Sequence, residues 1–253
     1  MYALLRTTAL LGVTALSLSF ASAAQAAPKK QTLEGKLTWT IVTTKADPGD
    51  PSNPSNFTQD ETTQEEHSLQ IKAVRDPNFT RTYVFKTIKA PYSYSYTSTR
   101  VSKDFSFSQL SCETTTTANA SGTGSADVNP TVFGKYNGNK DVLVLDKRTK
   151  GVSVGAVLPG AGTSTTVFKG FGTSPCQEGS YTDPIDETGS TSLNDSRNVC
   201  LPSGLKNPGS SYRPLLGKFN VKKKRFDFAC SKTFTDGFET TSVTISGALK
   251  YKR

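Results

Sequence analysis

The sequence predicts an all-β protein, an antiparallel β-sandwich of Ig-like or jelly-roll-like type with roughly ten strands and almost no helix. Three observations lead there. Apolar residues recur with period two in several segments, as half-buried strands require. No window carries a 3.6-residue apolar stripe with helix caps. Hydrophobic residues make up only 34% of the chain. Ser, Thr and Gly are abundant, a composition suited to many short strands with polar outer faces.

Taken in order, the chain opens on MYALLRTTALLGVTALSLSFASAAQAAPKK. Arg6 supplies a positive start, Thr7 to Phe20 is mostly apolar, and Ala24-Gln25-Ala26 is an A-x-A cleavage site, so residues 1–26 read as a secretory signal peptide. The apolar stretch is short of the roughly 20 residues of a membrane span. The mature chain is expected to begin near Ala27 and to be secreted or periplasmic, without a later span, a lipid-anchored Cys or a C-terminal anchor.

In LEGKLTWTIVTT, Leu33, Leu37, Trp39 and Ile41 share one face, with Lys36, Thr38 and Thr40 on the other. Residues 46–56 form a loop rich in Pro and Asp. HSLQIKAV sets His67, Leu69, Ile71 and Ala73 against Ser68, Gln70 and Lys72. Further strands are expected at 79–88, 91–100, 104–116, 141–146, 151–158, 165–171, 212–221 and 225–233. In SVTISGALKYKR, Val243, Ile245, Leu249 and Tyr251 face one way. A second long loop is expected from about 172 to 211, and loops of that length in a compact domain are uncommon. One domain over 27–253 fits this pattern. Two Ig-like modules splitting near residue 130, at ANASGTGSADVNP, are the alternative. An outer-membrane barrel would need an apolar outer belt on every strand, and many strands here are too polar for that.

Cys112, Cys176, Cys200 and Cys230 form an even set in an exported chain, which reads as two disulfides. No C-x-x-C is present and His67 is the sole histidine, so a zinc site is not expected. Of the three possible pairings, the expected one staples Cys176 to Cys200 across the polar loop and Cys112 to Cys230 between strands.

The row PYSYSY places Tyr92, Tyr94 and Tyr96 on one face of a strand and Ser93, Ser95 and Thr97 on the other; Phe105 and Phe107 repeat the alternation. Ser and Thr build no core, so the tyrosines are expected to face inward, each ring buried while its hydroxyl finds a partner. The alternative is an outward aromatic platform that stacks on sugar rings.

Catalytic motifs are weak. GVSVG at 151–155 matches the nucleophile elbow in letters, but no histidine follows it, and Val152 and Val154 flank Ser153 as in a strand. SGLK at 203–206 and SLN at 192–194 are in the wrong order for a β-lactamase, and no K-T-G follows. GAGTSTT at 160–166 lacks the Lys of a P-loop, and no cofactor is expected. His67 lies on an apolar strand face, where a satisfied, semi-buried role is commoner than a base or a pH sensor. The remaining enzyme route is a carboxylate pair across a cleft, as in a carbohydrate hydrolase. Asp60, Glu61, Glu65 and Glu66 form one candidate cluster, and Asp183, Asp186 and Glu187 another; neither has EF-hand spacing. Sequons stand at Asn56, Asn78, Asn119 and Asn194, a number that chance supplies in a chain so rich in Ser and Thr.

The chain carries 30 Lys and Arg against 21 Asp and Glu, a net charge of +9. The charge is unevenly placed: Leu201 to Arg253 is strongly basic, while 46–66 holds six acids and no base. Lys222-Lys223-Lys224-Arg225 lies between GKFNV and FDFAC and reads as the turn of a hairpin. Such a basic knob suits an anionic polymer of the envelope or extracellular space, such as a teichoic acid, lipopolysaccharide or sulfated glycan. Nucleic acid is not an expected partner, because export removes the chain from it and no recognition motif is present. The expectation is therefore an exported, non-catalytic binding or structural protein, with a hydrolase and a subunit paired through strand edges as alternatives.

Overall fold

In the computed structural model, residues 30–76, 83–133, 145, 147, 149, 151–172, 176–190 and 215–253 are described. The signal-peptide stretch, the 141–146 strand apart from Leu145, and Cys200, Asn78, Asn194, SLN and SGLK lie outside them. The strands are β1 (Thr32–Asp47), β2 (Phe57–Arg75), β3 (Tyr83–Lys89), β4 (Pro91–Ser106), β5 (Gln109–Ser125), β6 (Thr131–Phe133), β7 (Gly151–Val154), β8 (Val157–Gly170), β9 (Gly179–Ser190), β10 (Leu215–Asn220), β11 (Arg225–Asp236) and β12 (Glu239–Lys252). The chain is all-β and every pairing is antiparallel, as expected; no helix occurs among the described residues.

All twelve strands belong to one sheet, and its pairing path returns on itself. From β1 it runs through β12, β11, β10, β7, β6, β3 and β2, and β2 pairs again with β1. A wing of β4, β5, β8 and β9 leaves from β2. The branch has a local cause. β3 and β4 lie end to end along one side of β2, with β4 against Phe57–Leu69 and β3 against Lys72–Arg75. The ladder is irregular at Lys72/Ala73, and Pro91 begins β4 without an N–H to donate. Beyond this break β3 turns toward β6, while β4 turns toward β5.

The closed part encloses the core. Leu33, Leu37 and Trp39 meet Leu69, Ile71, Phe85, Val152, Leu215, Phe226, Phe228 and Leu249, all almost fully buried. Burying each such side chain contributes about 1.5–3 kcal/mol. The alternation in 33–41, 67–73 and 243–249 is the imprint of this enclosure. Away from it the strands continue with polar residues on both faces, so β2 starts ten residues before its apolar pattern does.

Cross-strand pairing takes over there. Thr235, Thr240, Thr44, Thr62, Thr99, Thr117, Thr165 and Thr182 stand in register across β11, β12, β1, β2, β4, β5, β8 and β9. Thr165 and Thr182 hydroxyls are 2.9 Å apart, and those of Thr235 and Thr240 are 3.1 Å apart. Such pairs contribute about 0.2–1 kcal/mol each, and they hold the register that a two-sided polar strand leaves weakly specified.

Two expectations are corrected. The long loop from 172 to 211 contains β9, which lies against β8 from Val157 to Phe168. Its sequence GSYTDPIDETGS lacks an apolar face, because an edge strand is held by its backbone ladder rather than by burial. Cys112 bonds to Cys176, with a Cα–Cα distance of 5.6 Å, so neither expected pair, Cys112–Cys230 nor Cys176–Cys200, forms. Cys112 lies opposite Gly170, and the chain leaving β8 passes back over that glycine, where an added Cβ would lie 2.7 Å from the Cys176 carbonyl oxygen. Cys230, on β11, is several strands away and is itself disulfide-bonded. No helix among the described residues is long and apolar enough to cross a membrane, which says nothing of strands.

Candidate functional site

Lys222, Lys223 and Lys224 occupy the turn Val221–Lys224 between β10 and β11 and are exposed. The turn is braced by hydrogen bonds. Lys224 has φ +48°. Lys223 N donates to Asn220 Oδ1 at 3.2 Å, and Asn220 Nδ2 donates to Asp227 Oδ2 at 3.0 Å. Tyr251 N reaches the Lys224 carbonyl at 3.3 Å. Arg225 is not part of the turn. It opens β11, is half-buried and pairs with Asp227.

The tetrad is the tip of a wider basic surface that the linear sequence does not group. On the outer face of the closed sheet, Lys72 lies opposite Glu34, Glu34 opposite Lys250, and Lys250 opposite Arg225. Lys36, Lys218 and Lys252 are exposed on the same face. Glu34 is engaged by Lys252, whose hydrogen bond holds its carboxyl below the ordinary value. Like charges directly opposed, as in Lys250 and Arg225, disfavour folding. The signal for the missing lysines was the alternation itself, which places even-numbered residues of β1, β2 and β12 outward.

The tyrosine row faces inward in its centre. Tyr94 is 4% exposed and sits in the core cluster; Tyr92 and Tyr96 are half-buried and pack against it. Tyr92 Oη donates to the Pro159 carbonyl at 2.9 Å. Trp39, His67 and Tyr94 lie opposite one another on β1, β2 and β4. Trp39 and His67 stack with centroids 4.5 Å apart at 7°, and His67 and Tyr94 meet at 5.1 Å. The Tyr94 ring lies over Gly160, where a Cβ would come within 2.7 Å of it.

The first acidic cluster is divided by the pleat, Asp60 and Glu66 pointing outward, Glu61 and Glu65 the other way. Glu61 pairs with Arg100 at 3.2 Å. Glu65 Oε2 accepts from His67 Nε2 at 3.2 Å, and the His67 side chain is fully buried. Neither His67 Nδ1 nor Trp39 Nε1 has a hydrogen-bond partner among the described residues. Burial, and then the charges of Glu65 and Glu187, push the Tyr94 hydroxyl pKa well up. These are one carboxylate from each predicted cluster, whereas Asp186, next to Glu187, points to the other face of β9 and Asp183 lies four residues away along it. No group of three metal-ligating residues occurs among the described residues.

Ser153 lies in β7 between the buried Val152 and Val154, in a strand and not at a strand-to-helix turn. A groove of about 500 Å³ is floored by Cys112, Cys176 and Phe168 and walled by Tyr181, with Phe168 and Tyr181 centroids 5.8 Å apart. A second, of about 460 Å³, is lined by Ser125, Asp127 and Val157. No family model matches the chain, and neither does any curated protein or solved structure.

Proposed function

We propose that this is an exported, non-catalytic binding protein whose basic pole holds an anionic polymer at the cell envelope or outside the cell. One observation carries the reading: three exposed lysines on a braced turn lie at the end of an outer face that also carries Lys250, Lys252, Lys72 and Lys36, with Glu34 and Asp227 the carboxylates among them. Strands are about 4.8 Å apart, so this face offers repeated cations to a chain of phosphates, sulfates or carboxylates lying across it. Strand-edge assembly is disfavoured, because β9, which has no second strand partner among the described residues, carries Pro184 and the charges of Asp183, Asp186 and Glu187, which oppose addition of another strand.

Retention of the mature protein on anionic polysaccharides under rising salt tests the reading. Binding is expected at low salt and to be lost toward about 1 M, where the screening length falls to about 3 Å. Changing Lys222, Lys223 and Lys224 to Ser should remove most of it. Binding that resists salt, or is untouched by these substitutions, overturns the proposal.

A hydrolase is the second reading, on the observation that Glu65 bonds the buried His67 while Glu187 stands opposite Gly160, over which the Tyr94 ring lies. Hydrolysis of a polysaccharide by the wild type, lost in both Glu65→Gln and Glu187→Gln, would establish it. Absence of turnover across a glycan panel would remove it.

A further inference from the structure

Among the described residues, the large exposed aromatics Phe57, Phe107, Phe171, Tyr181 and Phe238 all lie at the pole opposite the lysines. Phe107 and Phe238 are 87% and 58% exposed and sit on the tips of the β4–β5 and β11–β12 hairpins. Sequence alternation places Phe107 in a strand, but it turns the chain at φ +50°, a left-handed conformation that a bulky non-glycine residue rarely adopts. A large apolar side chain held both strained and in water is a feature that interaction sites tolerate.

The tips are tied into one rim. Ala46 N donates to the Phe238 carbonyl at 3.0 Å, Ser108 N to that of Pro54 at 2.8 Å, and Phe171 N to that of Ser111 at 3.0 Å. Asn56 Oδ1 accepts from Asp50 N and Phe57 N, and the Cys112–Cys176 bond secures the far end. Acids outnumber bases at this rim: Asp47, Asp50, Asp104, Glu113, Glu178, Asp236 and Glu239 stand near the tips, against Lys45, Lys103 and Lys169, the last paired with Glu113. Aromatic faces among carboxylates form a receptor for ammonium groups, which gain from both the ring and the charge.

We propose that copies of this protein associate head to tail, the aromatic, acidic rim of one receiving the Lys222–Lys224 hairpin of the next. β1 alone spans 16 residues, roughly 50 Å at about 3.3 Å per residue, so the two poles cannot meet within one molecule. The two contacting surfaces differ, so the contact is heterologous and extends into open chains unless its rotation closes a ring. Charge complementarity selects the second copy as occupant: the rim is acidic, and the projecting feature at the other end of the same molecule is a lysine knob. An anionic polymer would compete for that knob.

Sedimentation velocity of the mature chain over rising concentration is the test. Species larger than dimers are expected at low salt and lost at high salt. Phe107→Ser with Phe238→Ser should leave a monomer with unchanged melting, and so should Lys222, Lys223 and Lys224 changed to Ser. Mixed one to one, the two variants should form dimers and stop there, since each retains one competent pole. A wild type that stays monomeric, a symmetric dimer that grows no further, assembly that survives either variant, or a mixture that stays monomeric overturns the proposal. So does a monomer whose rim variant loses retention on a neutral glycan, which would assign the rim to a sugar. The rim variant keeps its lysines, so its retention on anionic polysaccharide reports on polymer binding separately.

Discussion

Tyr94 shows how much of this protein is settled at single side chains. Its neighbours along the strand, Ser93 and Ser95, make no core, and Gly160 across the sheet leaves the space its ring fills. Burial and the nearby Glu65 and Glu187 raise its pKa. A group whose pKa is higher folded than unfolded contributes stability that is present below the unfolded value, about 10 for tyrosine, and is lost as pH rises through the folded value. Unfolding free energy should therefore decline above about pH 10 in the wild type, and less steeply in Tyr94→Phe. Equal slopes in denaturant titrations from pH 8 to 11 would show that this hydroxyl does not carry the effect. The inward tyrosine face was legible from the sequence, since Ser and Thr on the opposite face leave no other apolar side. The stack of Trp39, His67 and Tyr94 was not, because it depends on which residues of three strands come opposite.

Elements were legible where they cover the core and obscure elsewhere. Period-two alternation revealed β1 over 33–41, β2 over 67–73 and β12 over 243–251, the stretches that line the closed sheet. It missed the first ten residues of β2 and all of β9, which are polar on both faces and are held by backbone ladders to long neighbours. GVSVG shows the same rule from the other side: the two valines announced a strand, and β7 is one. The Cys112–Cys176 bond closes a separation of 64 residues across β5 and β8. In the chain-entropy model its loss costs about 4 kcal/mol. At about 2–4 °C per kcal/mol for a domain of this size, Cys112→Ala with Cys176→Ala should lower Tm by roughly 10 °C. A shift below about 2 °C would mean that the β8–β9 end is held by its ladder alone.

At the scale of the whole molecule, the sequence's uneven charge becomes a polar axis. The C-terminal lysines collect at one end of the long strands, and the acids of 46–61, with the exposed phenylalanines, collect at the other. Antiparallel pairing causes this, because it brings the end of β12 beside the start of β1, and the β11–β12 tip beside the β1–β2 tip. The two proposed interactions therefore separate in experiment. Salt should weaken both, substitutions in the rim should affect assembly alone, and substitutions in the hairpin should affect assembly and polymer retention together.

The sequence by itself determined the all-β class, the strands that line the core, the inward tyrosines and the exposed lysine turn. Each follows from local alternation or from residues too polar to bury. The tertiary structure decided what depends on partners far apart in the chain. The sheet closes because β3 and β4 share one side of β2 but diverge at Pro91. Cys112 meets Cys176 because β5 and β8 are neighbours. Eight threonines form a row, and Lys72, Lys250 and Arg225 a basic face, because register fixes which residues of adjacent strands stand opposite. Register is a property of pairs of strands, and no single segment encodes it.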